Sequence, residues 1–161
     1  MRLRPVDRVT CALRRSLERD LNDGPAQRVA ALAVELGLMS VNLTDPVLSG
    51  RIADVQGVLE SVLEELRDLG SALYPPVLAG GGLEEALYAV AERCGVVVVV
   101  DSAPIDPGQR APACLAVADH LRSLPPGSLV GVRVRRGVGR VRVHVIPAPS
   151  HPERTRGAGC G

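Results

Sequence analysis

Aromatic residues are nearly missing from this sequence, which has no phenylalanine, no tryptophan and only two tyrosines. A hydrophobic core must therefore be built from valine, leucine and alanine, which favours helix–helix packing over an aromatic-rich β-sandwich. Lysine is also absent, so arginine supplies all 19 basic residues. The net charge is only +1, so no global field directs the chain toward nucleic acid or an anionic membrane. The 161 residues suffice for one domain with a sizeable core or for two small domains.

Long apolar runs and paired cysteines are missing as well. The valine run Val96–Val100 is far shorter than the ~18 residues that a membrane-spanning helix needs. The first residues, M-R-L-R-P-V-D-R, lack the apolar core of a secretory signal. Four cysteines occur without C-x-x-C spacing: Cys11, Cys94, Cys114 and Cys160. We therefore expect reduced thiols, no metal site and a cytoplasmic protein that does not enter a membrane.

The first of two long helices is predicted near the start of the chain. Apolar residues recur at three-or-four spacing from Val9 to Leu21 and again from Val29 to Met39, so this helix should run from about Asp7 to about Met39. Gly24-Pro25 lies inside it. Because proline removes a backbone hydrogen bond and clashes with the preceding turn, we expect a kink there.

The second helix has the most regular pattern in the sequence. Asp45-Pro46 is a start signal, with aspartate as the cap and proline at the first helical position, and Pro75-Pro76 ends the helix. Between them, seven apolar residues alternate by three and four, the period of a coiled-coil seam: Ile52, Val55, Leu59, Val62, Leu66, Leu69 and Leu73. Val58 and Leu63 widen the stripe beyond what one partner helix covers. We therefore predict a hairpin that pairs with a second copy into a four-helix bundle, unless the second half of the chain covers the extra stripe.

A polar row accompanies the apolar seam of the first helix. Asp23 and Gln27 are four residues apart, and Arg15 and Arg19 continue the row toward the N-terminus; this spacing also suits an ordinary solvated helix face. Residues 17–28 read L-E-R-D-L-N-D-G-P-A-Q-R. They resemble the phosphoacceptor helix of two-component sensor histidine kinases, in the subgroup whose partner regulators carry helix-turn-helix output domains, where the pattern is E-R-x-L-H-D-G-x-x-Q-R. The family's phosphorylated histidine falls on Asn22, and an amide nitrogen is neither basic nor nucleophilic at neutral pH.

A second stretch resembles the same subgroup. Residues 66–78, L-R-D-L-G-S-A-L-Y-P-P-V-L, are similar to the segment that joins the dimerisation helices to the ATPase domain, and residues 82–87, G-L-E-E-A-L, match the opening helix of that domain. The resemblance covers roughly residues 13–101 and implies an α+β fold. A long antiparallel helical hairpin at residues 7–74 would form a four-helix bundle on dimerisation, followed by a small, truncated ATPase-like α/β sandwich at residues 80–147. Residues 148–161 are predicted to be a disordered tail.

Helices and strands alternate in the second half of the chain. We predict a helix over Leu83–Cys94, a buried strand over Val96–Val100, a loop over Ser102–Arg110 and a helix over Ala113–Leu124. Strict alternation then predicts a β-hairpin around a turn at Gly137–Gly139. Its outer face is expected to carry five arginines: Arg133, Arg135, Arg136, Arg140 and Arg142. They suit a nucleic acid or an acidic partner, although no aromatic residue is present for base stacking, or they discourage strand-to-strand aggregation.

The resemblance also implies ATP and Mg²⁺ as cofactors of the α/β domain, but their motifs are missing. In the family one helix supplies a glutamate and a metal-binding asparagine, and Asp119 and Ser123 stand at those positions. Where a D-x-G-x-G stretch should contact adenine, the chain reads Ile146-Pro147-Ala148-Pro149. No glycine loop at a helix start and no lid sequence is recognisable. We therefore predict no nucleotide-binding site and no metal site, and the three histidines show no metal-ligand spacing: His120, His144 and His151.

Together these features predict a degenerate histidine kinase that acts by binding. Its homodimer interface is expected to comprise Leu13, Leu17, Leu21, Ile52, Val55, Leu59, Val62 and Leu66. The surface implied for a response regulator receiver domain, or for an intact histidine kinase, consists of Arg15, Arg19, Asn22, Asp23 and Gln27. Three alternatives stay open: an active or trans-acting kinase, a phosphatase in which Gln27 orients a water toward a regulator's aspartyl phosphate, and a non-enzymatic dimeric scaffold.

Overall fold

A computed structural model describes residues 1–137 and 140–147, which divide into two compact units. The helical unit contains Asp7–Gly80, and the α/β unit combines Met1–Val6 with the chain from Gly81 onward. The α+β fold class, with a long helical hairpin and a small α/β domain, is confirmed. The tail predicted at residues 148–161 lies outside the described residues.

The helical unit is built from three α-helices. Helix α1 spans Arg8–Leu21, α2 spans Gln27–Ser40 and α3 spans Pro46–Leu73, and a short 3₁₀ turn follows at Pro76–Ala79. Asp7 and Asp45 cap α1 and α3: their carboxylates accept hydrogen bonds from the backbone N–H of Thr10 and of Val47, each at 2.9 Å. These bonds satisfy donors that have no partner inside the helix, which explains why both helices begin where the aspartates stand.

A π-helical turn, Asn22–Ala26, joins α1 to α2. The sequence predicts a kink at Gly24-Pro25 without a full break, and the structure shows that the disturbance takes the form of a π turn while the chain stays helical. Pro25 has no N–H, and in an α-helix its ring clashes with the carbonyl four residues earlier. A turn with i→i+5 hydrogen bonds takes up one more residue than an α turn and is a known local solution in long helices. The helical path therefore continues from Arg8 to Ser40 with one widened turn.

Helix α3 packs against α1 and α2 through one face. Between residues 52 and 70, its half-buried or buried positions alternate by four and three: Ile52, Gln56, Leu59, Leu63, Leu66 and Gly70. Near one end, the Gln56 side chain donates to the Ala33 carbonyl at 3.4 Å. Near the other end, buried Gly70 faces Glu18, Leu21 and Asn22. The later residues of α3 thus meet the earlier residues of the first helical stretch, which is the antiparallel arrangement that the sequence predicts.

The α/β unit is a four-stranded sheet covered by two helices. Its strands are β1 (Arg2–Leu3), β2 (Val97–Ser102), β3 (Leu129–Gly137) and β4 (Arg140–Pro147), in the order β1-β4-β3-β2. Strands β2 and β3 are parallel, and the other pairs are antiparallel. The helices are α4 (Leu83–Arg93) and α5 (Pro107–Arg122). The core between helices and sheet contains fully buried aliphatic side chains: Leu87, Leu115, Leu121, Val132, Val134 and Val143.

Two features of this unit differ from the sequence-based predictions. Helix α5 begins at Pro107, so much of the loop expected over Ser102–Arg110 is helical or belongs to β2. Pro107 occupies the first helical turn, where its missing N–H costs nothing. Pro112 lies inside the helix, and the carbonyl that loses its partner, that of Gly108, is on an exposed residue. Strand β1 was not expected at all: the Met1 amino group donates to the Val145 carbonyl at 2.6 Å.

Candidate functional site

The candidate site surrounds the π turn of the helical unit, and Asn22 is its first residue. Asn22 is half-buried, and its Nδ2 donates to Glu18 Oε1 at 2.6 Å. Its Oδ1 lies 3.6 Å from the point where a Cβ on Gly70 would stand. The side chain of residue 22 is therefore held between a carboxylate of its own helix and the backbone of α3. This arrangement orients the amide toward α3 and leaves it partly exposed.

Asp23 and Gln27 are both exposed, and they flank the part of the chain where helical geometry changes. Because a π turn takes one more residue than an α turn, side chains four apart across it stack less directly than on an α-helix. The Gly24 carbonyl accepts a long hydrogen bond from Arg28 Nε at 3.4 Å. The carboxylate of Asp23 and the amide of Gln27 are thus open to water and to a partner.

The two arginines of the polar row lie in different surroundings. The guanidinium of Arg15 stands 5.8 Å from the ring centroid of Tyr74, the residue that follows α3. A cation at this distance from an aromatic face is attracted by the ring quadrupole, and at an exposed site such a contact contributes ~0.5–1 kcal/mol. Arg19 is exposed in the last turn of α1. The row therefore presents one arginine held against the hairpin and one projecting freely from the helix surface.

The apolar residues predicted for a dimer interface fall into two groups. Ile52, Leu59 and Leu66 lie on the face of α3 that packs within the hairpin, and Leu21 approaches Gly70 from α1. The other four are exposed, to fractions between 36% and 57%: Leu13, Leu17, Val55 and Val62. Further exposed aliphatic residues of the same unit include Val9, Leu32, Val34, Leu38, Val58 and Leu69. Single exposed leucines are normal on a protein surface and need no explanation. The many exposed aliphatic side chains of the helical unit instead indicate an interaction surface.

Comparison with known proteins connects this hairpin to signalling kinases. Residues 14–78 match the family model described as Histidine kinase. The match supports a histidine kinase dimerisation and phosphoacceptor domain at residues 14–78, of the subgroup that pairs with helix-turn-helix response regulators, as the resemblance of residues 17–28 predicts. No curated protein and no solved structure matches the chain significantly. Domains of this histidine kinase family generally dimerise and pair with response regulators.

Outside the matched histidine kinase segment, the positions that resemble nucleotide ligands have local partners. Asp119 accepts a hydrogen bond from Arg122 Nη1 at 3.0 Å, and the hydroxyl of Ser123 donates to the His120 carbonyl at 2.6 Å. Ile146 and Pro147 end strand β4. The following residues of that stretch, Ala148 and Pro149, lie outside the described part of the chain. The side chains of Asp119 and Ser123 thus make local hydrogen bonds at the end of α5.

Metal and thiol chemistry find little support in the described ranges 1–137 and 140–147. No three His, Cys, Asp or Glu side chains there lie close enough together to hold a metal ion. Burial raises the pKa of the Cys114 thiol to about 12, and burial also raises the pKa of Cys11. Because the thiolate is the reactive form, both thiols are poor nucleophiles. In the same part of the chain, no helix is both long enough and apolar enough to cross a bilayer.

Some features of the site were missed by sequence reasoning. The bond between Glu18 and Asn22 has a sequence signal, since the two residues are four apart on a helix. The contact between Arg15 and Tyr74 has none, because it joins the two arms of the hairpin. The contact between Asn22 and Gly70 also has no sequence signal, because it depends on the register of α3 against α1.

Proposed function

We propose that this chain is a degenerate histidine kinase that dimerises through its helical hairpin and acts by binding a response regulator receiver domain or an intact histidine kinase. The observation that carries the proposal is the amide at position 22 of a histidine kinase phosphoacceptor domain. Phosphoryl transfer needs a nucleophile at that position, and an amide nitrogen has no available lone pair for the attack.

The surroundings of Asn22 support a structural role for the amide. It donates to Glu18 at 2.6 Å and rests against Gly70, so it is integrated into the hairpin. An amide does not titrate near neutral pH, so its hydrogen bond to a carboxylate involves no proton transfer. A histidine does titrate in this range, and a neighbouring carboxylate would change the protonation state of the imidazole. The pair therefore stabilises the start of the π turn without supplying chemistry.

The α/β unit supports the second part of the proposal, the lack of appreciable ATP binding. A triphosphate with its metal requires charged side chains and backbone donors that converge on one site. Asp119 and Ser123 are instead engaged with Arg122 and with the His120 carbonyl. The stretch at Ile146-Pro147 offers no carboxylate for an adenine amine. We propose that neither ATP nor Mg²⁺ is a working cofactor of this chain.

Without phosphotransfer, the hairpin can still act by binding other proteins. Its exposed apolar side chains suit a second hairpin, and its polar residues Arg19, Asp23 and Gln27 are accessible for a receiver domain. Such a subunit would titrate a regulator away from its kinase, or would form inactive heterodimers with that kinase. Both actions depend on the same two surfaces.

Surface plasmon resonance tests this proposal. Receiver domains of helix-turn-helix regulators from the same organism are passed over the immobilised chain, alongside the variants Asp23→Ala and Gln27→Ala. Glu35→Ala is the matched control, because Glu35 is exposed on α2 away from the π turn. We expect at least one receiver domain or kinase to bind and the first two variants to weaken that binding. Absence of any such partner, or an equal loss in the Glu35 control, would contradict the proposal.

A second candidate function is dephosphorylation of a regulator. The observation that favours it is the exposure of Gln27, whose amide is free to orient a water toward an aspartyl phosphate. This activity needs neither a histidine nor ATP. A phosphorylated receiver domain that binds the chain should lose phosphate faster in its presence, and Gln27→Ala should abolish the acceleration. Unchanged decay of the aspartyl phosphate would exclude this candidate.

A further inference from the structure

The face of the sheet that points away from α4 and α5 is open and strongly patterned. Cross-strand partners share a face, and the register places Arg2, His144 and Arg133 in one row with Asp101. Arg135 and Arg142 form the next row. Among the described residues, four arginines and one carboxylate therefore lie at one end of this outer face.

The other end of the outer face is apolar. Val97, Val99 and Leu129 are 57%, 51% and 49% exposed. Ile146 lies beside them over Gly131, where a Cβ would stand only 2.6 Å from the Ile146 Cγ1. At a rise of about 3.3 Å per residue, the apolar end at Val97 lies ~13 Å from the row of Asp101. The face is thus amphipathic along the direction of its strands.

Two of these arginines, Arg133 and Arg135, are not explained by protection of a sheet edge. Arg133 and Arg135 belong to β3, which has β4 on one side and β2 on the other, whereas protective charges are placed on edge strands. Like charges directly opposite each other destabilise a sheet, and Arg135 stands opposite Arg142. Asp101 engages Arg133 at 3.0 Å and Arg135 at 2.6 Å, but within the described residues it is the only carboxylate on this face.

We propose that this outer face, comprising Val97, Val99 and Leu129 at one end and Arg2, Arg133, Arg135 and Arg142 at the other, binds an acidic segment of a partner protein that carries an apolar anchor. Charge complementarity selects the occupant. A second copy of the chain would oppose its own arginines. Single-stranded nucleic acid binds through aromatic stacking, which this face lacks, and it has no use for the exposed aliphatic patch. The carboxylates of the partner should follow its anchor by ~13 Å, about four residues of extended chain.

The arginine at position 136 provides a matched control. It is on the same strand as Arg133 and Arg135, but it pairs with Asp106 at 3.8 Å and follows the inward-facing register of Val132 and Val134. Substitution of Arg136 therefore removes the same charge from the same strand without touching the outer face.

Fluorescence anisotropy with a labelled peptide tests the inference. The probe carries three consecutive leucines followed by five glutamates, and its counterpart has glutamine in place of glutamate. We expect the glutamate peptide to bind at low salt, the glutamine peptide to bind about tenfold more weakly, and R135Q/R142Q to lose about tenfold in affinity. Arg136→Gln should retain the affinity of the unmodified chain. Leu129→Ser should weaken binding at high salt as well, because the apolar contact is not screened.

Several results would overturn the inference. One is an equal loss of affinity in Arg136→Gln and in the outer-face variants, which would reveal a non-specific charge effect. Another is tighter binding of a DNA duplex, or of vesicles containing phosphatidylserine, with the same dependence on Arg135 and Arg142, which would assign the face to a different class of partner. Circular dichroism of each variant confirms that the fold is retained.

Discussion

Replacement of Leu13 and Leu17 by glutamine should convert a dimer of this protein into monomers. Both side chains project from α1, with 57% and 45% of their surfaces exposed in the single chain. Glutamine has nearly the helix propensity of leucine, so the hairpin itself should lose little stability. The double substitution therefore separates association from folding.

The magnitude follows from the exposed fractions. Full burial of a leucine side chain contributes about 2 kcal/mol, so burial of the remaining half in a dimer contributes about 1 kcal/mol per residue. Two residues in each of two subunits give ~4 kcal/mol, which corresponds to a dissociation constant ~1,000-fold higher. Desolvation of the glutamine amides would add to this loss.

Sedimentation velocity over a range of protein concentrations measures the effect. Leu129→Gln is the matched control, because Leu129 is about equally exposed but lies on the sheet of the other unit. Leu66→Gln, on the inward face of α3, should instead lower the free energy of unfolding. The reasoning fails if the Leu13/Leu17 variant remains a dimer with unchanged affinity, or if Leu129→Gln dissociates it equally.

The remaining predictions concern the acceptor position and the sheet. Asn22→His should yield no phosphohistidine with radiolabelled ATP, because we propose that the nucleotide site is absent as well. Protein-bound label that is released by acid but not by alkali, as phosphohistidine is, would contradict this. Gly131→Ala should lower the free energy of unfolding by about 1–3 kcal/mol, because the new Cβ would meet Ile146 Cγ1. In urea titrations, the double variant with Ile146→Ala should lose less stability than the sum of the two single variants. Losses that simply add would refute the clash. Hydrogen bonding from its arginine partners holds the pKa of Asp101 below its ordinary value, so its contribution to stability is present above pH ~4 and is lost as the pH falls through the folded-state pKa. Asp101→Asn should remove that pH dependence, and an unchanged acid-unfolding profile would exclude it.

The regular parts of the fold were predictable because local signals agreed with tertiary structure. Asp45-Pro46 begins α3 and Pro75-Pro76 follows its end, as the sequence predicts. The π turn was not predictable, because Pro25 signals only that an α-helix is disturbed and not how the backbone absorbs the disturbance. Helix α5 began earlier than expected because proline and glycine, which usually mark loops, occupy its first turn.

Contacts between residues far apart in the sequence were the other feature that the sequence could not predict. Strand β1 has two residues, too few for a periodic pattern, and Met1 pairs with Val145, which is 144 positions away. In the candidate site, the sequence predicts that Asn22 stands at the family's acceptor position, and the family match includes residue 22. The sequence did not show that the amide lies against Gly70, because that contact depends on the register between α1 and α3.

Calorimetric titration with Mg–ATP tests the central claim, that the hairpin of a histidine kinase is retained while the phosphotransfer chemistry is lost. The account predicts no saturable heat up to millimolar nucleotide, under conditions in which an active histidine kinase of the same subgroup gives a measurable binding isotherm. Saturable binding with a micromolar Kd would contradict it.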